Sequence, residues 1–214
     1  MSSREQILAA VRTALKDAPA VPEIPRNYRL DGEAGAQQRI EVLVDRLEDY
    51  KAGVTVVDGD GVAAAIRGLL AGAASYVVPA GLDPAWLDWE TEPARIKYDG
   101  GAHGVRSVAE LDATDAVVTS SAVTVAESGT IILDGSPDQG RRAISLIPDH
   151  HVCVVHSRDI TAILPEALRR LDGTRPLTMI SGPSATSDIE LERVEGVHGP
   201  RRLDVIVVRQ GYVR

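Results

Sequence analysis

The chain has 214 residues, 44% apolar and 25% charged, with a formal net charge of −8. That length suits one α/β domain with a substantial core and an N-terminal appendage, and the composition is that of a globular protein. Net negative charge with 3% aromatics and no Phe argues against nucleic acid as a partner, and no run approaches the ~20 apolar residues of a membrane span.

Residues 2–17 read as a helix, with Ser3 and Gln6 as a capping box and Ile7, Leu8, Val11 and Leu15 along one face. Its charges stand where a secretory signal would be apolar, so a cytoplasmic location is expected. Pro19, Pro22 and Pro25 make 18–26 an extended linker. Residues 1–26 thus form a helical arm ahead of a domain at 27–214. The arm's apolar stripe needs a cover, from its own domain or from a neighbouring subunit, which leaves a homo-oligomer open.

A second helix over 36–51 repeats Ile40, Leu43, Val44 and Leu47, with Gly53 as its stop. Residues 54–57 read as a short buried strand, 61–71 as a helix and 76–78 as a strand. This alternation predicts a parallel α/β sheet flanked by helices. Residues 83–93 read as irregular and 100–104 as a glycine-rich loop. Strands follow at 115–119, twice within 123–133, and at 151–156. A helix over 159–171 should be kinked or divided by Pro165. The last strands fall at 177–180 and 203–208.

Three segments can carry chemistry. Glu127-Ser128-Gly129 interrupts two apolar strands. It is either a hairpin turn with Glu127 exposed, or a carboxylate projected into a cleft as base, nucleophile or ligand contact. Residues 181–190 follow a strand end, where open α/β sheets bind ligands, and their hydroxyls and amides can hold an anion. The bland alternative is a strand-to-helix connection capped by Ser187 or Asp188. In 196–200, His198 stands between glycines, free to face a pocket or to sit in a polar turn. A strand through His150 puts His151 and Cys153 on one face, too few ligands for a metal, and no metal is expected. Cys153 is the chain's one cysteine. It allows neither an internal disulfide nor an iron–sulfur cluster held by this chain alone, which needs about four thiolates.

Ala126-Glu127-Ser128-Gly129-Thr130 resembles the Ala-Glu-Thr-Gly-Thr motif of the lactate-utilisation (LUD) domain, with Ser128 where Thr is usual. A stretch like 142–148 before a strand, Gly-Pro-Ser-x-Thr-x-Asp-Ile-Glu at 182–190 and Gly-Val-His-Gly-Pro at 196–200 extend the resemblance over residues 40–210. The short form of that domain is similar to the lactate utilisation protein C (LutC/YkgG) group. The resemblance implies a fold similar to the sugar-phosphate isomerase and CoA-transferase (NagB/RpiA) superfamily. It also implies no cofactor of the chain's own, and work beside iron–sulfur proteins that carry the clusters for oxidising L-lactate to pyruvate. On this reading Arg141, Arg142, Gly182, Ser184, Thr186, Asp188, Glu190 and His198 bind a small carboxylate or other anion, gripped by an arginine in a two-pronged pair. The alternative is a stand-alone transferase or isomerase with Glu127 as nucleophile or base.

Overall fold

The computed structural model describes residues 2–16, 23–187, 193–195 and 199–209, with 185–187 and 193–195 described by their backbone alone. Strands β1 (Gly53–Asp58), β2 (Tyr76–Pro79), β3 (Ile96–Asp99), β4 (Ala116–Ser120), β7 (His150–His156) and β12 (Arg202–Arg209) form one sheet in the order β1-β12-β7-β4-β2-β3. Every pairing in it is parallel. A second sheet orders β5 (Val123–Val125), β6 (Thr130–Leu133), β8 (Ile160–Thr161) and β9 (Thr178–Ile180) as β8-β5-β6-β9. A separate hairpin pairs β10 (Ala185–Ser187) with β11 (Arg193–Glu195).

The central strands are continuous apolar runs rather than alternating ones, the pattern of strands covered on both faces. Because side chains alternate along each strand, Val77, Val117, Cys153, Val155, Val205 and Val207 share one face, and Val78, Val118, Val152, Val154 and Ile206 the other. Helix α3 (Val62–Leu69) lays Val62 and Ile66 on the second of these faces. The first face carries more. There α2 (Ala36–Asp49) packs Ile40, Leu43 and Leu47 against Cys153, Val155, Val205 and Val207, together with Ile131, Leu133 and Ile160 of the second sheet. Further along that face, α4 (Val108–Asp112) and α5 (Arg142–Leu146) bring Leu111 and Ile144 onto Val77 and Val117.

The α/β class and the flanking helices therefore stand as expected, with differences that have local causes. The N-terminal helix α1 is Ser3–Ala14, and its capping box is Ser2 with Glu5, one residue ahead of Ser3 and Gln6. Glu5 reaches back to the Ser2 amide at 2.6 Å. None of its residues is buried, and Ile7, Leu8, Val11 and Leu15 are exposed. Gly53 does not end α2. Lys51 does, at φ +68, with its amide on the Glu48 carbonyl and the Ala52 amide on the Leu47 carbonyl, the paired bonds of a Schellman cap. Gly53 instead opens β1, where an added Cβ would overlap the Asp204 carboxylate. β1 is an edge strand, mostly exposed rather than buried. Pro165 neither kinks nor divides a long helix: α6 (Leu164–Arg170) begins one residue before that proline, which sits in its first turn, because 160–161 pair with β5 as β8. Residues 181–187 lead into a strand, not a helix.

Among the described residues, no helix is long and apolar enough to cross a membrane. A strap at 29–32 closes over the second sheet. Arg29 pairs with Glu127, Asp31 with Arg169, and the Gly32 amide donates to Glu166 Oε1 at 2.7 Å.

Candidate functional site

Two adjoining clefts open beside α5, where it faces β9. The smaller, about 240 Å³, lies between Arg142, Ser145 and Leu146 on α5 and the Thr178–Ser184 stretch across from it. His151, Leu203, Gly199 and Pro200 complete its lining. The larger, about 770 Å³, continues past Arg142, Ser145 and Thr178 to the carboxyl ends of β2 and β3, at Ala80, Gly81 and Asp99–Gly101. Its remaining wall is Val105, Leu133, Gly135–Pro137, Gly140, Pro176 and Leu177, beside Arg141. One end is thus small and polar, the other broad and largely apolar.

The two neighbouring arginines have different fates. Arg141 grips Asp99 with Nε and Nη2, each at 2.9 Å, and also donates to the Arg106 carbonyl at 2.6 Å. Asp99 is nearly buried, so this cation is committed to holding β3 to the start of α5. Arg142 is exposed, lines both clefts, and its guanidinium has no ion pair or hydrogen bond among the described residues. Among the described residues, its whole donor fork is therefore open to an anion.

Gly182 sits at φ +93 with the Tyr50 Cβ only 2.7 Å from where its own Cβ would be. A side chain there would push the loop away from the end of α2, so glycine sets the cleft wall. The Ser184 amide donates to the Pro200 carbonyl at 2.8 Å, which ties the loop after β9 to the approach to β12.

The floor is buried and polar. His151 is 1% exposed, and its Nε2 lies 2.8 Å from Thr119 Oγ1. Its Nδ1 is buried without a hydrogen-bond partner among the described residues. Burial, aided by His150, pushes the His151 pKa down to about 3, so the ring is neutral near pH 7. Burial likewise pushes the Cys153 thiol up to about 12, which keeps it protonated and unreactive. Outside the cleft, His150 Nε2 meets Asp204 at 2.7 Å, and Arg202 meets the same carboxylate at 2.6 Å.

Glu127 occupies the exposed turn between β5 and β6. Its carboxylate is bound by Arg29 Nη2 at 2.5 and 2.7 Å, and it lies outside the lining of both clefts. The turn still touches the C-terminal loop: Thr130 Oγ1 bonds both Ser128 Oγ and Ser181 Oγ at 2.8 Å. Of the residues expected to bind an anion, Arg142, Gly182 and Ser184 meet in the smaller cleft, and Arg141 lines the larger one. Thr186 belongs to β10, whose side chains are not described, and Asp188, Glu190 and His198 lie outside the described residues. Sequence reasoning missed Ser145, Thr178 and His151 as lining residues. For His151 a signal existed, since its parity placed it on the helix-covered face with Cys153.

Comparison with known proteins gives the following. A model of the LUD domain matches residues 40–208. The chain is 42% identical over 207 residues to lactate utilization protein C of Deinococcus radiodurans, covering 95% of this chain and 94% of that one. It is 31% identical over 129 residues to lactate utilization protein C of Bacillus subtilis (strain 168), a match that spans 56% of this chain and 53% of the relative. The crystal structure of a DUF162 family protein from Deinococcus radiodurans superimposes with a TM-score of 0.69 at 40% identity, covering 82% of this chain and 99% of the other.

Proposed function

The chain belongs to the LUD domain family, and from that premise we propose that it serves lactate utilisation as a subunit that binds a small carboxylate but carries no redox centre. The lactate reading is carried by the 42% identity, along nearly the whole chain, to a relative named lactate utilization protein C. The reading of a bound carboxylate is supported by Arg142, whose guanidinium is unpaired among the described residues and lines a cleft small enough to enclose a three-carbon acid. L-Lactate is an anion near pH 7. A bidentate pair with Arg142 supplies charge and orientation together.

Oxidation of L-lactate to pyruvate releases two electrons. With one cysteine, buried and protonated, this chain does not assemble an iron–sulfur cluster alone. We assign the electron transfer to iron–sulfur partner proteins, with this subunit holding the acid or its product beside them.

The test is genetic and biochemical together. Cells lacking this chain should fail to grow on L-lactate, and the wild-type gene should restore growth where Arg142→Ala does not. Iron–sulfur proteins should co-purify with the chain from lactate-grown cells. Normal growth on L-lactate without the chain would overturn the role, and normal growth with Arg142→Ala would overturn the site.

A further inference from the structure

The helical layer on the α2 side of the main sheet leaves one edge of that sheet open. α2 covers β7 and β12 with Ile40, Leu43 and Leu47, and Val54 of the edge strand β1 packs against the same cluster. By alternation Val56 faces the same side, yet it is 39% exposed. A groove of about 420 Å³ runs there between α2 and β1. Its floor is Ile40, Val44 and Val56, and its rim is Glu41, Asp45 and Glu48, which share one face of α2. Asp45 is paired with Arg46, whereas Glu41 and Glu48 have no ion pair among the described residues. Arg209, the groove's one cation, is itself paired with Asp58.

α1 has the complementary build. Leu8, Val11 and Leu15 follow Arg4 at helical spacing, so these four share one face, with Ile7 beside them. Arg12 and Lys16 continue from Leu8 at four-residue intervals and flank that stripe. The three cations have no ion pair among the described residues, and the helix's one acid, Glu5, is turned back on the Ser2 amide. From Arg4 to Leu15 the stripe is about 16 Å long, as long as the stretch of α2 from Gln37 to Glu48 that lines the groove. A cationic, apolar-faced helix on a chain of net charge −8 thus matches a groove with an apolar floor and an acidic rim.

We infer that α1 of one copy of this chain docks in the α2–β1 groove of a second copy, and that the two copies exchange arms. Within one chain α1 buries none of its residues, although the stretch from α1 to the strap at 29–32 is long enough to span roughly 40 Å. Reach is therefore no obstacle, and the cover that the chain does not give its own helix is the one a second copy supplies. Exchange in both directions makes two identical contacts and a closed two-fold dimer with no arm left over. Each contact lays the stripe on Ile40, Val44 and Val56 and sets the arm's cations beside Glu41 and Glu48, and that charge pairing fixes the register.

Sedimentation equilibrium of the full chain, at concentrations up to about 1 mM, is the test. The mass should rise from 22.8 kDa towards twice that value. Val11→Asp changes a residue that is 47% exposed, so circular dichroism should show the fold unchanged while the rise in mass disappears. Glu41→Lys with Glu48→Lys should weaken association roughly tenfold, and Arg4→Glu with Arg12→Glu added to the same chain should restore it. A mass of 22.8 kDa at every concentration would overturn the inference. So would a dimer that survives Val11→Asp, a rim reversal without effect, or one that the arm reversal does not rescue.

Discussion

Arg141 and Arg142 are chemically identical neighbours, and the structure predicts opposite consequences for replacing each by alanine. Arg141→Ala deletes both bonds to Asp99 and the bond to the Arg106 carbonyl, leaving a carboxylate that is 2% exposed with the Arg106 amide as its remaining partner. Breaking a fully buried pair costs about 3–5 kcal/mol. The Arg141 side chain is 35% exposed, so water screens part of this and about 2–3 kcal/mol is expected. Arg142→Ala removes an exposed side chain with no partner among the described residues, so its stability should stay within about 0.5 kcal/mol of wild type. Binding should reverse the ranking. Loss of a bidentate, charge-assisted grip on a carboxylate is worth about 2–3 kcal/mol, roughly 30- to 150-fold in Kd. Urea unfolding followed by circular dichroism, paired with L-lactate titration, reads both quantities on the same samples. If Arg142→Ala destabilised the fold as much as Arg141→Ala, or still bound L-lactate with wild-type affinity, the division of labour would be wrong.

Three further predictions follow from single features. Gly53→Ala should cost about 2–4 kcal/mol in urea unfolding, because its methyl displaces the Asp204 carboxylate from His150 and Arg202; in an Asp204→Ala background the added cost should largely vanish. Lys51→Gly should raise stability by about 0.5–1 kcal/mol, since φ +68 at the end of α2 strains a lysine and suits glycine, and an unchanged or lower urea midpoint would count against the cap. The His151 pKa falls from its ordinary 6.5 to about 3 in the fold, so between those values the unfolded chain binds a proton that the native ring refuses. Its effect is therefore absent above pH 6.5 and erodes stability as the pH falls, by up to about 1.4 kcal/mol per unit. His151→Phe should flatten that acid slope in urea midpoints measured at about pH 7 and about pH 5, and an undiminished slope would refute the burial of a neutral ring.

The elements legible in the sequence are those long enough to show a period. α2 and α3 display one apolar stripe, and β4, β7 and β12 are continuous apolar runs, all local patterns that tertiary packing then uses. β3, α4 and α5 hold four or five residues each, no more than two turns or repeats, and no period marks them. Pro165 was visible as a breaker, yet whether helix lay before it or began beside it depended on whether 160–161 would pair with β5, a contact across 36 residues of chain. The same limit governs the ends of α2: Gly53 has the right residue type for a stop, but the sheet claims it because Asp204 needs the space.

The candidate site divides along the same line. Residue counts alone determine that this chain lacks the thiolates for an iron–sulfur cluster, and residue types alone make the arginine pair and the segment 181–190 candidates for holding an anion. Which guanidinium keeps its donors free is decided by Asp99, 42 residues away in the chain, and that Glu127 faces Arg29 rather than a cleft is decided by a strap 98 residues away. The physical reason is that hydrogen-bonding capacity belongs to a residue, whereas its vacancy belongs to the neighbours the fold assigns to it.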